Sequence, residues 1–152
     1  GAYGDKPSAM KRFCTNFHRL PNSVKSRLTV ENDDKASMYS VVDLYEGVYK
    51  VIGIPIVFDY HHHKFCTGGL SEEDALEVAI STWVDIVPVV HYSESRSKEY
   101  EDDKIRPQAH SDYVLDYIDT YGNRVDIMVE AKAKELAVLR YKEIHNDTRT
   151  NS

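Results

Sequence analysis

The sequence predicts an α/β fold, a partial (β/α)8 barrel of the TIM type. Four short β-branched runs, at 27–30, 54–58, 86–90 and 125–129, are separated by stretches with helical or mixed patterning. Acidic and histidine residues follow these runs, as they do at the rim where barrel enzymes keep their chemistry. The chain has 152 residues, whereas a complete barrel of this type usually needs about 250. Half a barrel therefore fits better than a closed one.

The first half of the chain has clear helical signals. Apolar residues recur at helical spacing over 6–20 and over 40–53, and Gly53 is placed to end the second of these helices. Ser71 precedes three acidic residues, which is the pattern of a helix N-terminus. We expect this third helix to reach about Thr82.

The second half is less regular. The segment 93–107 is polar and highly charged, which predicts a mobile loop, and 110–121 has a weaker pattern that is compatible with a helix. A helix with an apolar face is predicted at 134–144. Residues 1–144 then form one folded unit, and the polar segment 145–152 is predicted to be a disordered tail.

The overall charge excludes some classes of function. A formal net charge of −6 argues against a protein that binds polyanions through a basic surface. DNA binding remains compatible with this charge if bound cations offset the acidic groups. No segment approaches the roughly 20 apolar residues of a membrane span, so we expect no membrane partner.

Six side chains are of types that bind metals well, and nearly all of them lie where a β-branched run ends. Carboxylates and imidazoles that meet at one rim would bind divalent cations, and this indicates an enzyme. Three successive histidines follow Asp59, and an extended chain would point them in alternating directions, so they cannot all face one cation. The six candidate ligands are Glu31, Asp59, His62, His91, His110 and Glu130.

Each candidate also has a structural interpretation. Glu31 could be an exposed loop acid, and a lone histidine such as His91 is more often a packing residue than a ligand. Glu130 could form a salt bridge with Lys132 or Lys134. Asp112 could fix the tautomer of a neighbouring histidine or cap a following helix.

Five segments, in order and without a missing block, resemble the UV-damage endonuclease family. They are GAYGDK at 1–6, LTVENDDK at 28–35, VFDYHHH at 57–63, AHSDY at 109–113 and VEAKAKE at 129–135. The resemblance runs to about Lys142. It implies that the chain is roughly the C-terminal half of a (β/α)8 barrel related to endonuclease IV.

The resemblance also implies a function. Such enzymes nick duplex DNA immediately 5′ to ultraviolet photoproducts, with a water molecule that metal ions activate. It implies two or three divalent ions, Mn²⁺ first and Mg²⁺ or Zn²⁺ as alternatives, held by the six ligands above. Glu31 and Glu130 would be catalytic, and three further residues would support ligands or contact phosphate: His61, His63 and Asp112.

Two features depart from the family pattern. The family has a long N-terminal part with further ligands, so we expect activity to need a complementary N-terminal half. Val89 stands where the family has a lysine that bridges metals, two positions before His91. Two alternatives therefore remain: a metal-dependent sugar isomerase with a similar rim, and a non-catalytic barrel fragment.

Overall fold

The computed structural model describes residues 4–145. Within this range, four parallel strands form one sheet, in which each strand lies beside the next one along the chain. Consecutive parallel strands joined by helices form an open segment of a barrel, which confirms the predicted α/β partial barrel. The strands are β1 (Val30–Glu31), β2 (Ile56–Asp59), β3 (Val89–Tyr92) and β4 (Asp126–Val129).

Within residues 4–145, eight α-helical segments and one π-helical turn accompany these strands. Ser40 and Asp43 form a capping box at the start of the helix Val41–Leu44, and a π turn at Tyr45–Tyr49 joins this helix to the next one. The helices are α1 (Lys6–Phe17), α2 (Asn22–Lys25), α3 (Val41–Leu44), α4 (Lys50–Ile52), α5 (Tyr60–His63), α6 (Glu72–Ser81), α7 (Arg96–Glu99) and α8 (Glu135–His145).

Two helix boundaries confirm the signals read from the sequence. Gly53 ends α4 with a φ of 74°, a left-handed conformation that glycine adopts without steric penalty. The side chain of Ser71 accepts a hydrogen bond from the Asp74 N–H at 3.1 Å and so caps α6.

The hydrophobic core lies between the sheet and the helices. Phe58 and Val90, which are paired in register, are each 1% exposed and face this layer. Tyr60 packs edge-on against both Phe58 and Tyr92, with ring centroids 4.9 and 5.4 Å apart. Because strand side chains alternate, the residues between these core positions face the other side of the sheet, the barrel interior.

The third strand begins later than the sequence predicts. The run 86–90 was expected to be the strand, but β3 is Val89–Tyr92. Ile86 is 65% exposed and Asp85 has a φ of 58°, so this stretch is a turn. Pro88 lacks an N–H, yet its carbonyl accepts from the Asp126 N–H at 2.8 Å. His91 consequently lies inside the strand and not after it.

The segment 93–107, predicted as a mobile loop, is not wholly irregular. It contains α7, and the carboxylates of Glu94 and Glu99 accept backbone N–H groups from the segment 112–116. The segment 110–121, whose sequence pattern is compatible with a helix, contains no helix. Its backbone donors bind these carboxylates, and its side chains Val114 and Ile118 are buried in the core.

The end of the chain is described only in part. His145, predicted to begin the disordered tail, is the last residue of α8, and residues 146–152 lie outside the described range. Among residues 4–145, none of the helices has the length and apolarity needed to cross a membrane.

Candidate metal centre

Strand register brings four of the predicted site residues to one face of the sheet. Asp59 is paired with His91, and Glu31 is paired with Val57, two residues before Asp59. Side chains two residues apart on a strand share a face. Glu130 follows β4, and its N–H continues the ladder by donating to the Tyr92 carbonyl at 2.9 Å. All four residues therefore lie at the carboxyl ends of neighbouring strands.

The side chains meet as this register requires. The His91 Nδ1 lies 3.2 Å from Glu31 Oε1 and 3.3 Å from Glu130 Oε1. The His110 Nδ1 lies 3.7 Å from the second oxygen of Glu130. Donor atoms of Glu31, Asp59 and His91 all lie within 4.8 Å of one another. These distances describe a cluster that a single cation could join.

Asp59 is the most deeply buried member of the cluster. Its Oδ1 accepts the His62 N–H at 2.8 Å and so caps α5. Its Oδ2 is buried and has no hydrogen-bond partner among the residues that the structure describes. A buried carboxylate oxygen without a partner is costly unless a cation or a proton binds it.

The electrostatics of the cluster favour a bound positive charge. Burial, together with the neighbouring carboxyl group of Glu31, raises the pKa of Asp59 to about 7. Burial also acts to raise the pKa of Glu31, but His91 and Asp59 outweigh it, so this pKa is lowered. The hydrogen bond to Glu31 raises the pKa of His91. In the absence of a metal ion, protons on Asp59 and His91 reduce the negative charge of the cluster. A bound cation would compensate the same charge.

His62 lies beside the cluster on α5. Its Nδ1 is 3.5 Å from Glu31 Oε1 and 3.8 Å from Asp59 Oδ2. The three histidines are helical, and the expectation that they alternate along an extended strand end is wrong. The cause is local, because the Asp59 side chain caps a helical turn directly after β2.

The other two histidines of the run are buried. The His61 ring packs edge-on against Phe65 and His110, with centroids 5.2 and 5.9 Å apart, and burial lowers its pKa to about 4. His63 packs against Phe58 in the core, and burial lowers its pKa as well. His61 therefore borders the cluster through His110, whereas His63 lies on the core side.

Within residues 4–145, Asp112 neither hydrogen-bonds to a histidine nor caps a helix, and its expected contact with phosphate stays a prediction. Its carboxylate accepts from Arg96 Nη1 at 2.7 Å and from the hydroxyl of Tyr100. The following segment contains no helix for it to cap. Asp112 thus fastens the loop to α7, because Arg96 at the start of this helix points back toward it.

Glu130 is interpreted from the sequence either as a metal ligand or as the partner of Lys132 or Lys134 in a salt bridge. Its carboxylate lies against His91 and His110, and within 4–145 no ion pair joins it to Lys132 or Lys134. Val89 begins β3, two residues before His91 on the same face. Its side chain offers no ligand atom, so the layer below His91 is apolar at this position.

Sequence reasoning missed Asn32. This residue is 1% exposed, and its side chain and carbonyl bind Asp59 and His62. The signal was weak, because an asparagine before two aspartates reads as an ordinary turn. Only its position one residue after Glu31 could have drawn attention to it.

These observations define a class: an open segment of a parallel (β/α) barrel with carboxylates and imidazoles clustered at its carboxyl rim. The donor set of hard oxygens and imidazole nitrogens suits Mn²⁺, Mg²⁺ or Zn²⁺. A bound ion would also give the buried Asp59 Oδ2 the partner that it lacks among the described residues. The residues present therefore fit a divalent metal centre.

Comparison of the sequence with known proteins identifies relatives that are named as DNA endonucleases. A family model described as UV-endonuclease UvdE matches residues 1–150. The chain is 41% identical to the UV DNA damage endonuclease of Bacillus pumilus (strain SAFR-032) and 38% identical to that of Bacillus cereus (strain Q1). These alignments cover 94% and 93% of this chain and 45% of each relative. The chain belongs to the UV-endonuclease UvdE family.

A solved structure supports the same assignment. The crystal structure of SacUVDE superposes with a TM-score of 0.79 at 30% sequence identity, over 96% of this chain and 48% of that one. The chain thus spans about half the length of the relatives it matches.

Proposed function

We propose that this chain supplies the metal-binding half of a DNA repair endonuclease that nicks duplex DNA immediately 5′ to ultraviolet photoproducts. The observation that carries the proposal is the convergence of Glu31, Asp59 and His91 within 4.8 Å, at the carboxyl rim of the sheet. The similar proteins are named UV DNA damage endonucleases, which supports UV-damaged DNA as the substrate.

The proposed centre has two parts. Glu31, Asp59, His91 and, through its Nε2, His62 would hold one cation, and Glu130 and His110 would hold a second one. When bound, two or three divalent cations, Mn²⁺ before Mg²⁺ or Zn²⁺, would activate a water molecule and stabilise the leaving oxygen. The buried Asp59 and the half-buried glutamates hold this charge at the rim, where the scissile phosphate would lie.

The proposal includes a complementary half of the barrel as a partner. Within residues 4–145, the edge strands β1 and β4 each pair on one side only. Met128 on β4 is 52% exposed, and Leu136 and Leu139 on α8 are 55% and 56% exposed. Unpaired edges and apolar side chains of this kind favour contact with further strands and helices.

The proposal is tested by nicking of irradiated plasmid. Glu31→Gln and Glu130→Gln keep the size of each side chain but remove a negative charge from the centre. We expect either variant, assembled with the other half of the barrel and supplied with Mn²⁺, to nick irradiated supercoiled plasmid no faster than background. Circular dichroism should show an intact fold.

The matched control is Glu46→Gln, an exposed glutamate that pairs with Lys50 far from the rim. It should nick as the wild type does. Full activity in either rim variant would show that the metal centre is wrongly assigned. Equal nicking of unirradiated plasmid by the wild type would contradict the proposed lesion specificity.

A further inference from the structure

Asn32 joins β1 to β2 one residue beyond the end of β1. Its Nδ2 donates to the Asp59 carbonyl at 3.0 Å, and its Oδ1 accepts from the Asp59 N–H at 2.8 Å. The carboxamide thus satisfies both backbone groups of one residue, as a neighbouring strand would. Asn32 is 1% exposed, so water does not compete for these bonds.

The backbone of Asn32 contacts a second member of the proposed centre. Its carbonyl oxygen lies 2.8 Å from the Nδ1 of His62. A carbonyl oxygen only accepts, so this contact places the proton of neutral His62 on Nδ1 and leaves the lone pair on Nε2. One buried residue therefore contacts both Asp59 and His62.

We propose that Asn32 is a positioning residue for the metal centre, an inference that rests on the proposed function. Its side chain fixes the backbone of Asp59, and its carbonyl fixes the tautomer of His62. The Asp59 Oδ1 already caps α5, and Oδ2 is the oxygen that has no hydrogen-bond partner among the described residues, so Oδ2 is the atom that we expect a cation to bind. Movement of this backbone would carry Oδ2 away from Glu31 and His91.

The competing explanation is that Asn32 only stabilises the sheet. Thr82 provides a matched comparison, because it supports the opposite end of the same strand. Its hydroxyl accepts the Ile56 N–H at 2.8 Å, and it is also 1% exposed. Thr82→Val removes this hydroxyl at constant shape but lies away from the rim.

The experiment compares Asn32→Ala, Asn32→Asp and Thr82→Val in the full chain. Asn32→Asp keeps the shape but sets an oxygen against the Asp59 carbonyl. Mn²⁺ binding is followed by electron paramagnetic resonance, and stability by urea unfolding. We expect all three variants to lose stability. The Mn²⁺ affinity should fall about 10-fold or more in the Asn32 variants, and less than twofold in Thr82→Val.

A second measurement needs no metal and no variant. In metal-free wild-type protein labelled with ¹⁵N-histidine, in mildly alkaline buffer, long-range NMR correlations report the tautomer of each ring. We expect His62 to carry its proton on Nδ1. A ring protonated on Nε2 would overturn the inference even if no Asn32 variant folds.

The outcomes separate this inference from the proposed function. Unchanged Mn²⁺ affinity in the Asn32 variants, or an equal loss in Thr82→Val, would overturn the positioning role while the metal centre stands. Wild-type protein that binds no Mn²⁺ would overturn the metal centre, and with it the positioning role. Selective loss of affinity together with the Nδ1 tautomer would support both.

Discussion

Asp59 illustrates at the residue scale how a binding site can oppose stability. Its carboxylate is fully buried, and one oxygen has no partner among the described residues. Its pKa is raised to about 7, so ionisation is unfavourable without a compensating cation. Residues held in such a position are typical of functional sites.

Replacement of Asp59 should therefore separate stability from metal binding. Asp59→Asn keeps an oxygen to cap α5 and removes the buried charge. In EDTA at a pH above 7 we expect this variant to be at least as stable as the wild type. At 100 times the wild-type Kd of the site that includes Asp59, Mn²⁺ should stabilise the wild type by about 2.7 kcal/mol more than the variant, which lacks this site.

Urea unfolding with and without Mn²⁺ measures both effects. Asp103→Asn, an exposed position in the charged loop, is the control and should behave as the wild type does. A variant that Mn²⁺ still stabilises fully would show that Asp59 is not a ligand.

The sequence predicted the residues of the cluster better than their geometry. The meeting of Glu31, Asp59, His91 and Glu130 could be anticipated, because parallel strands end at a common rim. The role of Asn32 could not, because its bonds to Asp59 join residues 27 positions apart. No local pattern encodes such a contact.

At the scale of elements, two glutamates organise the irregular segment that follows α7. Glu94 accepts the N–H groups of Leu115 and Asp116, and Glu99 accepts those of Asp112 and Tyr113. These bonds replace the ladder that a helix or strand would provide. They hold the chain that follows His110 in a conformation in which Val114 and Ile118 are buried in the core.

Loss of one of these carboxylates should loosen the segment. Glu94→Gln sets an amide N–H₂ group against backbone donors, which should cost about 1–3 kcal/mol of unfolding free energy. We expect amide hydrogen exchange over 111–118 to accelerate, while α6 stays protected. Glu101→Gln, an exposed neighbour, is the control. Unchanged exchange in Glu94→Gln would show that these bonds do not order the segment.

Helix boundaries were predictable where their signals are local. The hydrogen bonds of the Ser71 cap and of Gly53 join residues three or four positions apart, so a local sequence pattern is enough to predict them. The order of 93–107 depends on partners 13–22 residues away, such as Asp112 and Asp116. From its sequence alone, a charged segment of this kind has the pattern of a solvated loop, because the pattern does not reveal these distant partners.

At the scale of the whole molecule, the chain is an open half-barrel whose interior face carries the cluster. The number of strands, their parallel order and the position of the rim follow from four β-branched runs in a chain of this length. The late start of β3 does not, because the exposed Ile86 matches the pattern of a strand. The unpaired edges explain why the proposed function includes a second half.

Binding of divalent cations at this rim can be measured by native mass spectrometry of the purified chain, metal-free and after Mn²⁺ loading. The method reports bound metal and stoichiometry together. We predict that the folded wild-type chain retains one or two Mn²⁺ ions and that Asp59→Asn loses at least one of them. A folded wild-type chain that stays metal-free at saturating Mn²⁺ would show that this rim is not a metal centre.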